Sequence, residues 1–515
     1  MMSALLVRGG CLYPADATDR VVPDGAVLAE DGVVIRVGTT AEVEAAIRPG
    51  QRAGLRTIDA RGRMILPGFV NPHWHEMFAM RFPFKGALRH ASDRDDKPVF
   101  MALGGDVPQI SVTFDAFHGQ VDRLTPDEAL AIARYSMWTQ LRSGVTALGD
   151  VGSLNKPEAL AHAARDLGMR LTVSTWASDA VCAPGDSRFR RTRDADGELQ
   201  RIEKLLTDCA ADPDGLVRAW PTAVYGTNMT DELGFGLAEL AHRFDVPFAT
   251  HVGALRNEAE VMLAYHGSTP VRRFADLGLL SERFMAVHCA FADADERALL
   301  IDAGAHLNHS PAKYGPAGEA SLTETRLFPE FRRAGLDVSL STDGAALPLG
   351  GMAEAMRAAW QVYNEMYADP TEVLPTDALA MATRLPARGL DQSDRIGSLE
   401  PGKQADLLLV KADDWRYLLN PRPLEGFLSL GGSMDVDTVV VAGRVLVEGG
   451  RSTGPDEEAL EADYLEALSS FTVRCLGVDA DTVAARLRRR TETLADPRPA
   501  RTGMAPLPTG RKERR

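Results

Sequence analysis

Between Met64 and Leu390 short apolar or β-branched runs alternate with longer helical patterns eight times. Few folds accept that rhythm. The runs are Met64–Val70, Val145–Gly149, Leu171–Thr175, Val217–Val224, Val246–Thr250, Phe284–Val287, Ala305–Asn308 and Leu336–Ser341. Segments between them, such as Pro126–Leu141, Asp231–Arg243, Asn257–Tyr265 and Asp293–Ile301, carry apolar residues at helical spacing. The pattern predicts an α/β fold with a parallel (β/α)8 barrel. A doubly wound open sheet is the alternative. No GxGxxG or GxxxxGK[ST] follows any run, so a nucleotide fold has no motif behind it.

Both flanks have a different character. Before the barrel, Ala4–Val7, Ala26–Leu28, Val33–Val37 and Leu55–Asp59 are short β-rich pieces with turns such as Asp31-Gly32 between them, and an antiparallel sheet is expected. After it come Ile396–Leu399, Ala405–Val410, Thr438–Val441 and Arg444–Glu448, again expected as strands. Beyond Pro455 one helix is expected, with Asp456, Glu457 and Glu458 at its start and an apolar stripe of Leu460, Tyr464, Leu468 and Phe471. Residues 486–515 hold ten Arg/Lys against three Asp/Glu and four prolines, and are expected to be a solvated basic tail.

The whole chain is acidic, with 57 Lys+Arg against 72 Asp+Glu and a net charge of −15. That argues against general binding to nucleic acid or anionic membranes. The cysteines, Cys11, Cys182, Cys209, Cys289 and Cys475, are odd in number and form no CxxC pair, which fits a reducing compartment. Residues 1–11 hold only the apolar run Ala4–Val7, and no stretch is long and apolar enough for a transmembrane helix. A cytoplasmic protein with a small-molecule substrate is expected.

The strongest chemical signal is Pro67-Gly68-Phe69-Val70-Asn71-Pro72-His73-Trp74-His75-Glu76. Residues two apart in a strand share a face, so His73 and His75 present two imidazoles together. At the C-terminal end of a barrel strand that face is the catalytic mouth. Paired neutral imidazoles suit a divalent metal such as zinc or ferrous iron. His251, His288, His309 and Asp343 each follow a later apolar run, so five strands aim polar groups at one rim. His309 is the weakest member, because a His–Ser–Pro corner also has a purely structural reading. By alternation His306 shares a face with Asn308, and Leu307 with His309. His306 lies farther from the rim and is given no role.

These motifs, in this order, resemble the amidohydrolase superfamily, in particular the branch holding cytosine, guanine and S-adenosylhomocysteine deaminases and the triazine hydrolases. The PGFVNPHWH stretch is similar to that family's first-strand HxH motif. Thr250-His251-Val252, Val287-His288-Cys289 and Ser341-Thr342-Asp343-Gly344 are similar to its strand-five, strand-six and strand-eight signatures. The runs 382–388 and 396–406 are similar to its junction between barrel and sandwich.

The resemblance implies a barrel over residues 64–391 and a small composite β-sandwich from 1–63 and 392–450, followed here by the helix at 451–485. It implies one metal held by His73, His75, His251 and Asp343. His288 and Asp343 become the catalytic pair and His309 a substrate contact. The physics agrees, since a divalent metal brings the pKa of water to about 7. Asp343 can then carry a proton and His288 can favour a developing negative charge. No bridging lysine is evident on the expected strand, so a second metal is not expected. The family commonly forms dimers, which leaves a homodimer open.

The chain also departs from the branch. Where a proton-shuttling Glu usually follows the strand-five histidine by three residues, this chain has Ala254. Glu258 and Glu76 are the nearest stand-ins. After strand seven the usual Pro–x–Ser–Asn segment is replaced by His309-Ser310-Pro311-Ala312-Lys313-Tyr314, and Lys313 can reach toward the mouth. The expected activity is metal-dependent hydrolysis of a non-peptide C–N bond in a small cyclic or heteroaromatic metabolite, of deaminase or amidase type. The alternatives are displacement of another leaving group such as halide, or a catalytically retired barrel that binds ligand. Loops Phe78–Gly119, with Arg81, Lys85 and Arg89, and Trp176–Arg193 are expected to set the substrate.

Overall fold

The computed structural model describes residues 4–52, 54–76, 107–152, 154–212, 215–317, 321–322, 327–344, 351–418 and 420–484. Among them, the central strands form two five-stranded parallel sheets, which two broken strands join into one ring. Strands one to three are Phe69–His75, Val145–Asp150 and Arg170–Val173. Strand four is split into Val217–Ala219 and Thr222–Tyr225; the first piece pairs with strand three and the second with strand five, Phe248–Val252. Pro221 lies in the break, where it need not donate to a ladder. Strands six and seven are Phe284–His288 and His306–His309. Strand eight is split into Val338–Leu340, paired with strand seven, and Asp343–Gly344, paired with strand one. All these pairings are parallel; the two sheets share no ladder, and the chain running through the breaks in strands four and eight completes an eight-stranded barrel.

The expected first run, Met64–Val70, proves to cover parts of two strands. Arg63–Pro67 belongs to the outer sheet, and the chain crosses into the barrel at Gly68. A Cβ there would lie 2.1 Å from Thr146 Oγ1, so only glycine fits the crossing. Within strand one the register shifts between Asn71 and Trp74. The bulge matters because Val70 packs with Ala147, Ala249, Met285 and Val287 in one buried cluster. One extra residue in the strand brings His73, rather than Trp74, to the side where the histidines meet. Gly149 accommodates it, since a Cβ there would meet the Pro72 carbonyl oxygen at 2.3 Å.

A nine-stranded sheet lies beside the barrel and takes strands from both flanks of the chain. It is mixed rather than antiparallel. Ala4–Leu12, Val22–Glu30 and Val33–Thr39 pair antiparallel as expected. Leu55–Asp59 and Arg63–Pro67 instead pair parallel with Ala4–Leu12. The helix Thr40–Ala45 lengthens the connection enough to allow that crossover. Leu407–Lys411, Val436–Val441 and Arg444–Glu448 extend the sheet. Ile396–Leu399 is not a strand: Gly397 takes φ +91°, and Ile396 and Leu399 plug two different apolar clusters. A buried Arg170–Asp406 ion pair at 2.6 Å ties the start of strand three to this sheet.

The helix Glu457–Leu476, which follows the outer sheet, is capped by the Asp456 carboxylate. Its stripe of Leu460, Tyr464, Leu468 and Phe471 is buried, and Tyr464 stacks on Tyr135 of helix Pro126–Arg142 at 4.7 Å. Among the described residues no helix is long and apolar enough to cross a membrane.

Candidate active site

Five side chains from three strand ends and one strand break converge at the C-terminal rim of the barrel. His73 and His75 end strand one, His251 lies in strand five, His288 ends strand six, and Asp343 follows the break in strand eight. The Nε2 atoms of His73, His75 and His251 lie 2.8, 3.0 and 3.2 Å from one another. Asp343 Oδ1 is 3.9 Å from His73 Nε2 and 3.8 Å from His75 Nε2. His288 Nε2 is 3.5 Å from Asp343 Oδ2. All five residues are buried.

The hydrogen-bond partners define what these nitrogens offer. His251 Nδ1 sits 2.7 Å from the Val224 carbonyl oxygen. A carbonyl only accepts, so Nδ1 carries the hydrogen, and in the neutral ring Nε2 is a bare lone pair. Burial keeps the rings neutral: it pushes His73, His75 and His288 well below the ordinary imidazole value and His251 down to about 4. Three neutral imidazoles aimed at one point cannot all be satisfied by sharing hydrogens among themselves. A cation at that point takes all three lone pairs. Two overlapping groups have ligand atoms within 4.8 Å of one another, His73, His251 and His288 on one side and His73, His75 and Asp343 on the other, and imidazole nitrogens with one carboxylate oxygen suit a borderline divalent metal.

Burial alone would raise the Asp343 carboxyl. It is nevertheless held well below the usual carboxylate range, and the Lys313 ammonium is the largest influence in that direction. Lys313 Nζ lies 3.0 Å from Asp343 Oδ2, so the reach expected of Lys313 is realised. Backbone strain also gathers here, with His288, Cys289 and Asp343 at φ +73°, +49° and +58°. Asn71 holds the strand-eight break in place: its Nδ2 donates to Thr342 Oγ1 at 2.7 Å, and its Oδ1 accepts from the Thr342 amide at 3.2 Å. Ser341 Oγ reaches Asn308 Oδ1 at 2.6 Å and lies 3.4 Å from His73 Nδ1.

His309 does not join the cluster, which corrects its expected role as a substrate contact. It faces the helix layer, stacked on Phe328 at 3.4 Å between centroids, with Nε2 hydrogen-bonded to the Tyr363 hydroxyl. Strand alternation is the cause, because His309 shares the outward face with Leu307. His306 and Asn308 face the other way and share Ser339 Oγ.

Neither stand-in for the absent glutamate is placed like one. Glu258 Oε1 accepts from Gly253 N–H at 2.9 Å and Oε2 from Ala254 N–H at 2.8 Å, so its carboxylate braces the loop after strand five. Burial pushes its pKa up to about 7 despite those bonds. Glu76 is buried and accepts from the Leu154 amide. Ala254 itself is buried.

An aromatic series rises from the cluster. Tyr225 stacks on His251 at 4.9 Å with 9° between planes, Phe114 stacks on Tyr225 at 5.5 Å, and Trp176 meets Phe114 edge-on at 5.2 Å. Trp176 opens the 176–193 loop, which Arg193 ties to Asp115 at 2.8 Å. Arg81, Lys85 and Arg89 lie outside the described residues, as does the basic tail. Asn71 and Tyr314, which contact the cluster residues or their supports, carry no chemical signal of their own in the sequence. Asn71 stands inside the HxH motif, and Tyr314 follows Lys313.

Relatives share this architecture. A 5-methylthioadenosine/S-adenosylhomocysteine deaminase from Symbiobacterium thermophilum is 28% identical over 466 residues, spanning 87% of this chain and 94% of that protein. The zinc-bound crystal structure of an adenosine deaminase from Xanthomonas campestris superposes with a TM-score of 0.77 at 22% identity, covering 92% of this chain and 99% of the other. A mutant atrazine chlorohydrolase from Arthrobacter aurescens TC1, complexed with zinc and atraton, gives a TM-score of 0.75 at 25% identity over 90% of this chain and all of that one. The description "Amidohydrolase family" matches residues 64–446, from the strand before the crossing at Gly68 through the return of the outer sheet. The chain belongs to the amidohydrolase family.

Proposed function

We propose that the protein is a mononuclear, zinc-dependent hydrolase that cleaves a non-peptide C–N bond on a small nitrogen heterocycle, releasing ammonia or an amine. The observation that carries this reading is the convergence of three imidazole Nε2 atoms within 3.2 Å, with the Asp343 carboxylate beside them. His73, His75, His251 and Asp343 hold the metal, whose Lewis acidity, when bound, brings the pKa of water to about 7. Iron has the same ligand preferences on the nitrogen side, and zinc is favoured by the zinc-bound relatives.

The chain's own groups divide the remaining work. Asp343, ionised beside Lys313, accepts a proton from the attacking water and returns it toward the departing nitrogen. His288 Nε2, facing the same carboxylate, hydrogen-bonds the attacking oxygen and favours the negative charge that develops there. The Tyr225 ring stacks on His251, and Phe114 and Trp176 extend the series, which braces that imidazole. A small heteroaromatic substrate is favoured by the deaminase and atrazine chlorohydrolase relatives. Ala254 carries no proton, which favours substrates whose leaving group departs without protonation of the ring. That observation also supports a second reading, hydrolytic displacement of halide from an activated ring.

The same reading assigns the barrel to about 68–391, the outer sheet to 4–67 and 392–452, and the following helix to Glu457–Leu476, which moves the expected boundaries at 64 and 451. It places a protein with five free thiols in the cytoplasm, acting on small molecules rather than nucleic acid. The test is a screen of zinc-loaded protein for ammonia and halide release from amino- and halo-substituted heteroaromatics and cyclic amidines. Turnover lost in His73→Ala supports the reading. Turnover equal in His73→Ala, or none with any member of the panel, contradicts it.

A further inference from the structure

Helix Pro311–Ala317 follows strand seven at the rim, and its Tyr314 reaches the back of the His288 ring. Tyr314 is buried; its Oη lies 2.8 Å from His288 Nδ1 and accepts from the Ser310 amide at 3.2 Å. The Ser310 amide can only donate, so it occupies one lone pair of Oη. Two arrangements remain. Either the phenol hydrogen is donated to Nδ1, or an Nδ1–H is donated to the second lone pair of Oη.

The far side of the ring decides between them. Nε2 lies 3.5 Å from Asp343 Oδ2, a buried carboxylate oxygen that makes no hydrogen bond among the described residues, and Lys313 Nζ lies 3.0 Å from the same oxygen. A bare Nε2 lone pair against that oxygen is repulsive, whereas Nε2–H is attractive. A neutral imidazole has one hydrogen, and at Nε2 it leaves Nδ1 as an acceptor. The hydroxyl of Tyr314 is the donor that Nδ1 then needs.

We infer that Tyr314 is a positioning residue that locks His288 in the Nε2–H tautomer, making it a hydrogen-bond donor toward the reacting atoms and not a base. The inference deepens the hydrolase reading and rests on it for its consequence: with Nε2 already protonated, proton transfer falls to Asp343 alone. Lys313 and Tyr314, adjacent in sequence, thus fix the two groups that face the substrate. Lys313 sets the charge beside Asp343, and Tyr314 sets the hydrogen on His288.

The experiment uses the full-length, zinc-loaded chain labelled with 15N-histidine, with His288→Gln to assign the His288 signals and Tyr314→Phe as the perturbation. Expected in the wild type are a protonated-type Nε2 shift and an unprotonated-type Nδ1 shift for His288. In Tyr314→Phe the pattern moves toward the Nδ1–H form. On the substrate found by the release screen, kcat falls on the order of 10- to 100-fold with KM within about twofold, the scale set by analogy with outer partners of metal-ligating histidines. A wild-type His288 protonated at Nδ1 overturns the inference, as does a Tyr314→Phe protein with tautomer and kcat unchanged. If Tyr314→Phe fails to fold or to retain zinc, the wild-type spectrum decides alone. That spectrum needs no substrate, so a failed release screen and a failed tautomer assignment are told apart.

Discussion

Removing the metal and lowering the pH exposes how the histidine cluster is built. Burial holds His251 at about 4 in the folded chain, against about 6.5 for an exposed imidazole. The folded-state value is depressed, so below pH 6.5 the unfolded chain takes up a proton that the folded chain refuses until about pH 4. Stability from this group is therefore complete above pH 6.5 and is lost as the pH falls. Integrating from pH 7.5 to 4.5 with those two values gives a loss of about 2.5 kcal/mol from His251. The assay is urea unfolding of metal-free wild type and His251→Asn at both pH values, with a chelator present because a bound cation occupies the same lone pair. Asparagine does not titrate, and the other buried histidines are common to both proteins. The stability advantage of the wild type over His251→Asn should shrink by about 2–3 kcal/mol on acidification. An advantage that is the same at pH 7.5 and 4.5 refutes the reasoning. It would mean that His251 protonates as readily in the folded chain as in the unfolded one, and that the site does not hold it neutral.

Lys313→Met removes the cation 3.0 Å from Asp343 Oδ2, a gross attraction of about 5.5 kcal/mol at an effective dielectric constant near 20. The Asp343 carboxyl then rises, and the acidic limb of the kcat/KM profile should move to higher pH by on the order of one unit, read from pH–rate curves. Arg170→Met leaves Asp406 buried without its partner, and unfolding should be easier by about 3–5 kcal/mol, with zinc content of the folded protein unchanged.

The barrel was legible because its strands are buried on both faces and read as apolar runs, while the helices between them keep their own period. The HxH pair was legible for the right chemistry but by an incomplete geometry. Simple alternation from Val70 would have turned His73 away, and only the bulge at Asn71–Trp74 brings it in. Bulges leave little trace in sequence, because they are set by what the neighbouring strand can accommodate, here Gly149. His309 was misjudged through its position at a strand end, although its parity with Leu307 already pointed outward. The parallel pairing of Leu55–Asp59 could not be read, since strand direction depends on the path of the connection and not on the strand's residues. Lys313 was visible as an unusual residue. Its contact with Asp343, and that of Tyr314 with His288, needed the helix after strand seven in place.

The central claim is that His73, His75, His251 and Asp343 share one cation. The direct measurement is an anomalous difference map from crystals of the zinc-loaded protein, collected on both sides of the zinc absorption edge. Expected is one peak per chain bonded to the Nε2 atoms of His73, His75 and His251 and to an Asp343 oxygen. A map with no peak among those side chains, or with the zinc held elsewhere, contradicts the claim.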